Sequence, residues 1–429
     1  MATCSSSPST VNKPVGASSS VAPIGLGARV AVLTGGFDRP YVFGLTMALA
    51  SKGVSLDVIG SDDVDVEEMH NMSQIAFLNL RGSKEEAGIA SKVTRVLLYY
   101  ARLLRYAAVA EPKIFHILWN NKFEHFDRTL LMLYYKFLGK QIVFTAHNVN
   151  AGKRDSNDSL LNRLTLRIQY LLADHIFVHT EQMKSELQRD FGIRRDAITV
   201  IPFGINNSVP DTDLTPAAAK QMLGIGDDEK TILFFGAIRP YKGLEYLVEA
   251  FLQLAARHPE YRLVIAGEPR KESEKYLEKI RRRIDCDPSQ GRVISRLRYI
   301  LDSETELYFK AADVLALPYT HVFQSGVLFL AYNFGLPVVA TDVGSVREEI
   351  IEDRTGFLCR PCDPIDMAKA LETYFGSDLF KSLDTRRHEI RHYAKERHSW
   401  DTVGEMTLNV YVGLGGKLNG PQTSSDSAL

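Results

Sequence analysis

Cysteine is scarce in this sequence: Cys4, Cys286, Cys359 and Cys362 are the only four among 429 residues. So few cannot build a disulfide framework, and they fit a reducing compartment. Long apolar runs are missing too. The nearest approach to the roughly 18 to 20 apolar residues that a spanning helix needs, Val93 to Ala110, is interrupted by Arg95, Arg102 and Arg105, which excludes a membrane span. An excess of one charge is also absent, because 51 Lys and Arg stand against 52 Asp and Glu for a net charge of −1. No long-range field gathers nucleic acid, so any anionic ligand has to be met by a local cluster of cations. Residues 1–27 are rich in Ser, Pro, Gly and Ala, carry only Lys13 as a charge and lack the apolar core of a secretory signal. They read as a disordered tail, as do residues 415–429, and the expected location is cytoplasmic.

What is present is an alternation of short β-branched runs with helical patterns, the mark of βαβ units wound around parallel sheets. Strands are expected at Val30–Thr34, Ser55–Ile59, Ile75–Leu80, Ile114–Leu118, Ile142–Thr145, Ile176–His179 and Ile198–Ile201. After the polar, proline-marked stretch that follows Asn206, more are expected at Thr231–Phe235, Arg262–Ala266, Arg292–Arg296, Val314–Leu317 and Val338–Ala340. Leu244, Leu247, Val248, Phe251, Leu252 and Ala255 form the apolar stripe of a helix packed on the second sheet. The domain plan is therefore 28–207, then 208–397, then a segment 398–414 after the second domain. Two doubly wound α/β domains place a ligand between the carboxyl ends of their strands.

Four places at strand ends could carry chemistry. Gly35 and Gly36 close the first strand and would let a ligand approach backbone N–H groups, although the same pair also suits a plain tight turn. His147 follows the strand at Ile142 and offers two hydrogen-bonding nitrogens near the cleft, or it caps the next segment. Lys153 and Arg154, in the charged loop behind it, are placed on the acceptor side. In the second half Gly236 ends a strand, and Arg239 and Lys242 stand just before a helix. A forked guanidinium, a point charge and free helix N–H donors make a diphosphate site, against the alternative of a solvated basic turn. Gln324, Ser325 and Gly326 open another helix whose free N–H groups could meet an anion, and Ser325 could equally be its cap.

Other patterns carry less. Asp63 with Asp65, and Asp285 with Asp287, lie in charged stretches that read as solvated loops rather than metal sites. Cys359 and Cys362 have zinc spacing but no second pair, so they read as structural. His116, His175 and His179 lie in or beside apolar strands and read as packed residues. The run Arg270 to Arg283, rich in both signs, reads as a salt-bridged solvent face. The segment 91–110 combines Val, Leu and Tyr with arginines, which suits either peripheral attachment to an anionic membrane or packing on the first domain.

In order, Ile201-Pro-Phe-Gly204, Phe235-Gly-Ala-Ile-Arg-Pro-Tyr-Lys-Gly243, Val264-Ile-Ala-Gly267, Ala312-Asp-Val-Leu-Ala-Leu-Pro318, Gly335-Leu-Pro-Val-Val-Ala-Thr341 and Val343-Gly344 with Glu348 resemble the family 4 retaining glycosyltransferases. Trp400 and the stretch to Leu414 resemble that family's last helix, which crosses back to the first domain. The resemblance implies the GT-B architecture of two facing Rossmann-like domains. It also implies metal-independent transfer, with retained configuration, from a nucleotide-sugar donor to an acceptor hydroxyl on a saccharide, lipid-linked or small molecule, with no other cofactor. It gives Arg239 and Lys242 to the donor diphosphate, Gly35 and Gly36 to the loop near donor and acceptor, and His147 to the donor sugar. The backbone at Tyr299 and Ile300 would meet the base. The family's two glutamates, eight residues apart, fall at Val322 and Leu330 here, with Gln324-Ser-Gly326 in their neighbourhood. A non-catalytic partner on the same fold, or a nucleotide-sugar epimerase, is the competing expectation.

Overall fold

A computed structural model describes residues 29–36, 38–82, 89–154, 158–205, 209–270, 273–322 and 324–418. Seven parallel strands form the first sheet: β1 (Val30–Leu33), β2 (Leu56–Gly60), β3 (Ile75–Asn79), β4 (Ile114–Ile117), β5 (Gln141–Thr145), β6 (His175–Val178) and β7 (Ile198–Val200). Their order is β3-β2-β1-β4-β5-β6-β7. Both faces of such a sheet are covered by crossover helices, which is why β1 and β4 are apolar at nearly every position and fully buried. The second sheet contains β8 (Lys230–Phe235), β9 (Tyr261–Ala266), β10 (Val293–Arg296), β11 (Val314–Leu317), β12 (Val338–Thr341) and β13 (Gly356–Cys359), in the order β10-β9-β8-β11-β12-β13. Strand order reverses between β1 and β4 in one sheet and between β8 and β11 in the other, and these are the two crevices where ligands bind such folds.

The expected strands all appear within a residue or two of their sequence positions, and the helix over Leu244–Ala255 buries its stripe as the spacing demands. β13 was not foreseen. The expected tail 1–27 lies outside the described residues. The expected C-terminal tail starts too early, because the last helix runs from Trp400 to Leu418 and takes up residues 415–418.

That last helix packs on the first domain. Val403, Tyr411 and Leu414 belong to the core between β1, β2 and the helix Arg39–Ser51. Tyr411 OH lies 2.6 Å from Nδ1 of His116, whose Nε2 lies 2.7 Å from Thr145 Oγ1. Burial holds His116 neutral, its pKa pushed down to about 3, so it is a packed residue as expected. The Trp400 indole donates to Ile205 O at 2.6 Å and packs against two glycines. A Cβ on Gly44 would stand 2.0 Å from the indole, and one on Gly204 would stand 2.3 Å from it. Across the domains Phe203 stacks on Phe329 at 5.7 Å, while His398, at the end of the helix Leu383–Arg397, meets Glu349 at 3.0 Å.

Candidate functional site

The β8 crevice assembles the charged part of the site. β8 ends in Gly236, whose φ of 101° is a backbone shape that a side chain resists, and a Cβ there would stand 3.0 Å from Lys242 Nζ. Arg239 precedes the short turn Pro240–Lys242, and Gly243 then leads into the helix Leu244–Ala255. Lys242 is buried, and its ammonium lies 5.6 Å from the centre of the Tyr319 ring. Burial, helped by the charge of Arg239, pulls its pKa down to about 8. Among the described residues no carboxylate forms an ion pair with Lys242 or Arg239, so two neighbouring cations share a cleft without counter-charge. That is the arrangement an anion completes.

Opposite them β11 leads through Pro318 and Tyr319 to the helix Gly326–Asn333. Ser325 does not cap this helix; its hydroxyl is 3.0 Å from Tyr319 OH, so the first N–H groups keep their capacity. Both amide atoms of Gln324 are buried without a partner among the described residues. Val322 and Leu330 are buried hydrocarbons, and Leu330 lines a cavity of about 240 Å³ between the domains, together with Tyr41, Phe203, Gly326 and Trp400. Glu348 is exposed. Tyr299 is exposed and Ile300 buried, side by side in the loop after β10.

The β1 crevice holds the rest. Gly35 and Gly36 adopt φ of 62° and 76°, and Arg81 Nη1 donates to Gly35 O at 3.0 Å. A Cβ on Gly36 would meet that guanidinium at 2.5 Å. His147 stacks face to face on Trp119, with centroids 4.1 Å apart, and its Nδ1 lies 3.1 Å from Nε2 of His179. Burial keeps His147 well below the ordinary histidine range, with His179 and His116 adding to the effect. His147 also lines a cavity of about 490 Å³ with Trp119, Asn120, Asn121, Lys122 and Arg128, at the carboxyl ends of β4 and β5. A π-helical segment, Asp127–Leu131, lies beside this cavity, and such bulges frequently mark functional sites.

Lys153 is placed elsewhere. It lines a separate cavity of about 440 Å³ with Arg163, Arg167, Glu186 and Asp190, between the helices Leu160–Leu172 and Glu181–Phe191. Arg154 ends the short helix Ala151–Arg154, and its side chain lies outside the described portion. Among the described residues no group of three or more His, Cys, Asp or Glu is placed to hold a metal ion. Cys359 is buried, its pKa pushed up to about 12 by burial, while Cys362 is exposed. The Arg270 to Arg283 run forms the outer helix Glu274–Asp285, where Arg283 pairs with Glu249 and Asp287.

Residues 39–209 match the family described as Glycosyltransferase Family 4, and residues 229–376 match Glycosyl transferases group 1. The chain is a glycosyltransferase. The first match spans β2 to β7 and the second spans β8 to β13, and the enzyme has the GT-B fold. It is 26% identical over 401 residues to a D-inositol 3-phosphate glycosyltransferase of Corynebacterium diphtheriae, covering 86% of this chain and 88% of that one. It is 28% identical over 235 residues to an uncharacterized glycosyltransferase of Methanocaldococcus jannaschii, a match that spans 54% of this chain and 58% of the relative. Among solved structures, Anabaena HepE in complex with UDP-glucose superimposes with a TM-score of 0.69 at 16% identity, over 90% of this glycosyltransferase and 99% of HepE.

Sequence reasoning missed Trp119, Tyr319 and above all His179, which it set among the packed histidines. His179 is buried, but it is bonded to His147. The signal was available: His179 follows the end of β6 much as His147 follows the end of β5, one strand over.

Proposed function

We propose that this glycosyltransferase moves a hexose from a nucleotide diphosphate sugar to an acceptor hydroxyl, with retained anomeric configuration and without a metal. The observation that carries the donor assignment is the pair Arg239 and Lys242, uncompensated by any carboxylate among the described residues and set in the same crevice as the uncapped start of the helix Gly326–Asn333. Departure of a nucleoside diphosphate builds negative charge on the phosphates, and fixed cations with helix N–H donors stabilise that charge without reorganising. HepE binds UDP and UDP-glucose, so UDP-hexoses head the donor panel. The acceptor lies on the first-domain side, where Asn120, Asn121 and Arg128 line a polar cavity suited to a hydroxylated molecule. Incubation with a panel of nucleotide sugars and acceptors, followed by mass and by the anomeric coupling of the product, tests the reading. An isomerised donor would indicate an epimerase instead, and no turnover with any donor would indicate a binding protein.

The same reading includes peripheral attachment to an anionic membrane. The helices Ile89–Val109, Met132–Phe137 and Leu160–Leu172 leave Leu97, Phe137, Leu160, Leu164 and Leu171 more than half exposed. Residues 89–172 carry thirteen Lys and Arg against five Asp and Glu, while the rest of the chain carries 38 against 47. Exposed apolar side chains within a basic segment suit an interface with anionic lipid. No helix among the described residues is long and apolar enough to cross a membrane. Co-sedimentation with phosphatidylglycerol vesicles but not phosphatidylcholine vesicles, weakened by salt, supports attachment; failure to bind the anionic vesicles at low salt refutes it.

A further inference from the structure

The histidine pair has only one arrangement of protons compatible with its surroundings. Nδ1 of His179 lies 3.3 Å from Ile201 O, and a carbonyl oxygen only accepts, so that nitrogen carries a hydrogen. Burial pulls the His179 pKa down to about 4, against the pull of the Ile201 and Pro202 carbonyls, and leaves the ring neutral at pH 7 with Nε2 bare. The bare Nε2, 3.1 Å from Nδ1 of His147, then accepts, which puts the His147 proton on Nδ1. His147 is itself neutral, so its Nε2 is a lone pair, and this atom is buried with no partner among the described residues. Stacking on Trp119 at 4.1 Å and an edge contact with Tyr41 at 4.6 Å hold the ring in place.

We infer that His179 is a positioning residue that fixes the tautomer of His147, so that His147 Nε2 serves the reaction as a hydrogen-bond acceptor for a substrate hydroxyl rather than as a donor. Neutral histidine in water favours the proton on Nε2, so the His179–Ile201 relay imposes the less common form. A donor at this position would face the oxygen lone pairs of a sugar; an acceptor orients a hydroxyl proton and leaves that oxygen's lone pairs for other partners. The inference rests on the glycosyltransferase reading for its hydroxyl, but its proton placement can be tested without turnover.

The experiment is ring-nitrogen NMR on the full chain labelled with 15N-histidine, with His147 assigned by the loss of its signals in His147→Phe. The wild type is expected to show His147 Nε2 at the unprotonated, pyridine-type shift between pH 6 and 8. In His179→Phe the Nδ1–H of His147 loses its acceptor, and its proton should move to Nε2. In His179→Gln, whose carboxamide can donate to Ile201 O and accept from His147, the wild-type tautomer should persist. With an accepted donor, kcat should fall at least tenfold in His179→Phe with donor KM changed less than threefold, and should stay within threefold of wild type in His179→Gln. A protonated Nε2 in the wild type, or an unchanged tautomer in His179→Phe, overturns the inference whatever the activity. Equal loss of kcat in the Phe and Gln variants also overturns it, because it would mark His179 as packing alone.

Discussion

The ammonium of Lys242 lies 5.6 Å from the centre of the Tyr319 ring, and the Tyr319 hydroxyl in turn lies 3.0 Å from Ser325 at the start of the facing helix. One aromatic side chain thus connects the cation to the N-terminus expected to share its ligand. The ring supplies a favourable face for the charge but no formal counter-charge, so burial still lowers the lysine's proton affinity.

Donor binding should therefore depend on pH through this lysine. With its pKa at about 8 in the free protein, Lys242 is mostly charged below pH 8 and loses its proton above it. A bound diphosphate favours the charged form and raises that pKa. Affinity for a nucleotide sugar, whose diphosphate ester does not titrate in this range, should be level below pH 8 and fall by up to about tenfold per pH unit above it. Calorimetric titration from pH 6.5 to 9.5 measures this, and Lys242→Arg should flatten the profile. A level wild-type profile to pH 9.5 would rule out the assignment.

Removing either cation should cost transition-state stabilisation more than folding stability. Lys242→Ala or Arg239→Ala should lower kcat/KM by about 2 to 5 kcal/mol, the scale of a desolvated charged contact. Lys242→Ala also removes a cation that is costly to bury, so its Tm should not drop. Near-wild-type kcat/KM for both variants contradicts the proposed diphosphate site.

Turnover should persist in excess EDTA, because the proposed leaving-group charge is met by Arg239, Lys242 and helix N–H groups. Activity that vanishes with chelator and returns with magnesium or manganese would reject metal-independent transfer.

Leu330 gives a specific expectation for the ribose. A hydrocarbon at that position offers no charged acceptor to ribose hydroxyls, a contact worth about 1.5 to 3 kcal/mol. The 2′-deoxy form of the accepted donor should lose well under tenfold in kcat/KM. A hundredfold loss would mean another group holds the ribose, and the unpartnered buried amide of Gln324 is the first to substitute.

Two glycine substitutions should move stability in opposite directions. Gly44→Ala forces a methyl group against the Trp400 indole and should cost at least about 1 to 3 kcal/mol, the scale of overpacking a core. Gly413→Ala, in the helix Trp400–Leu418 with nothing within 4 Å of the added carbon, should gain about 0.5 to 1 kcal/mol. Thermal unfolding of the two variants checks the sign of each.

The sheets were legible because strands buried on both faces must be apolar at nearly every position, which leaves runs such as Val30–Leu33 and Val314–Leu317 plain to see. β13 escaped because it begins with Gly356 and is hemmed in by charged and turn residues. Arg239 and Lys242 were visible because glycines and a strand end framed them. His179 was not, since its role depends on β5 and β6 lying side by side, and strand adjacency is a property of the sheet rather than of any one stretch of chain. The length of the last helix was misjudged for a related reason: Gly415 and Gly416 look like the start of a tail, yet the helix that Leu414 anchors in the first domain's core runs on through them.

The last helix also bears on how the molecule is made. Val403, Tyr411 and Leu414 complete a core whose other members begin at Val30, so of these two domains the earlier to leave the ribosome is the later to acquire all its parts. The second domain, between them in sequence, has its whole sheet available before Trp400 is synthesised. A chain stopped near Ser399 would then carry a complete second domain and a damaged first one, and early proteolysis of such a nascent product would fall on the N-terminal half, opposite to the end where the chain was cut.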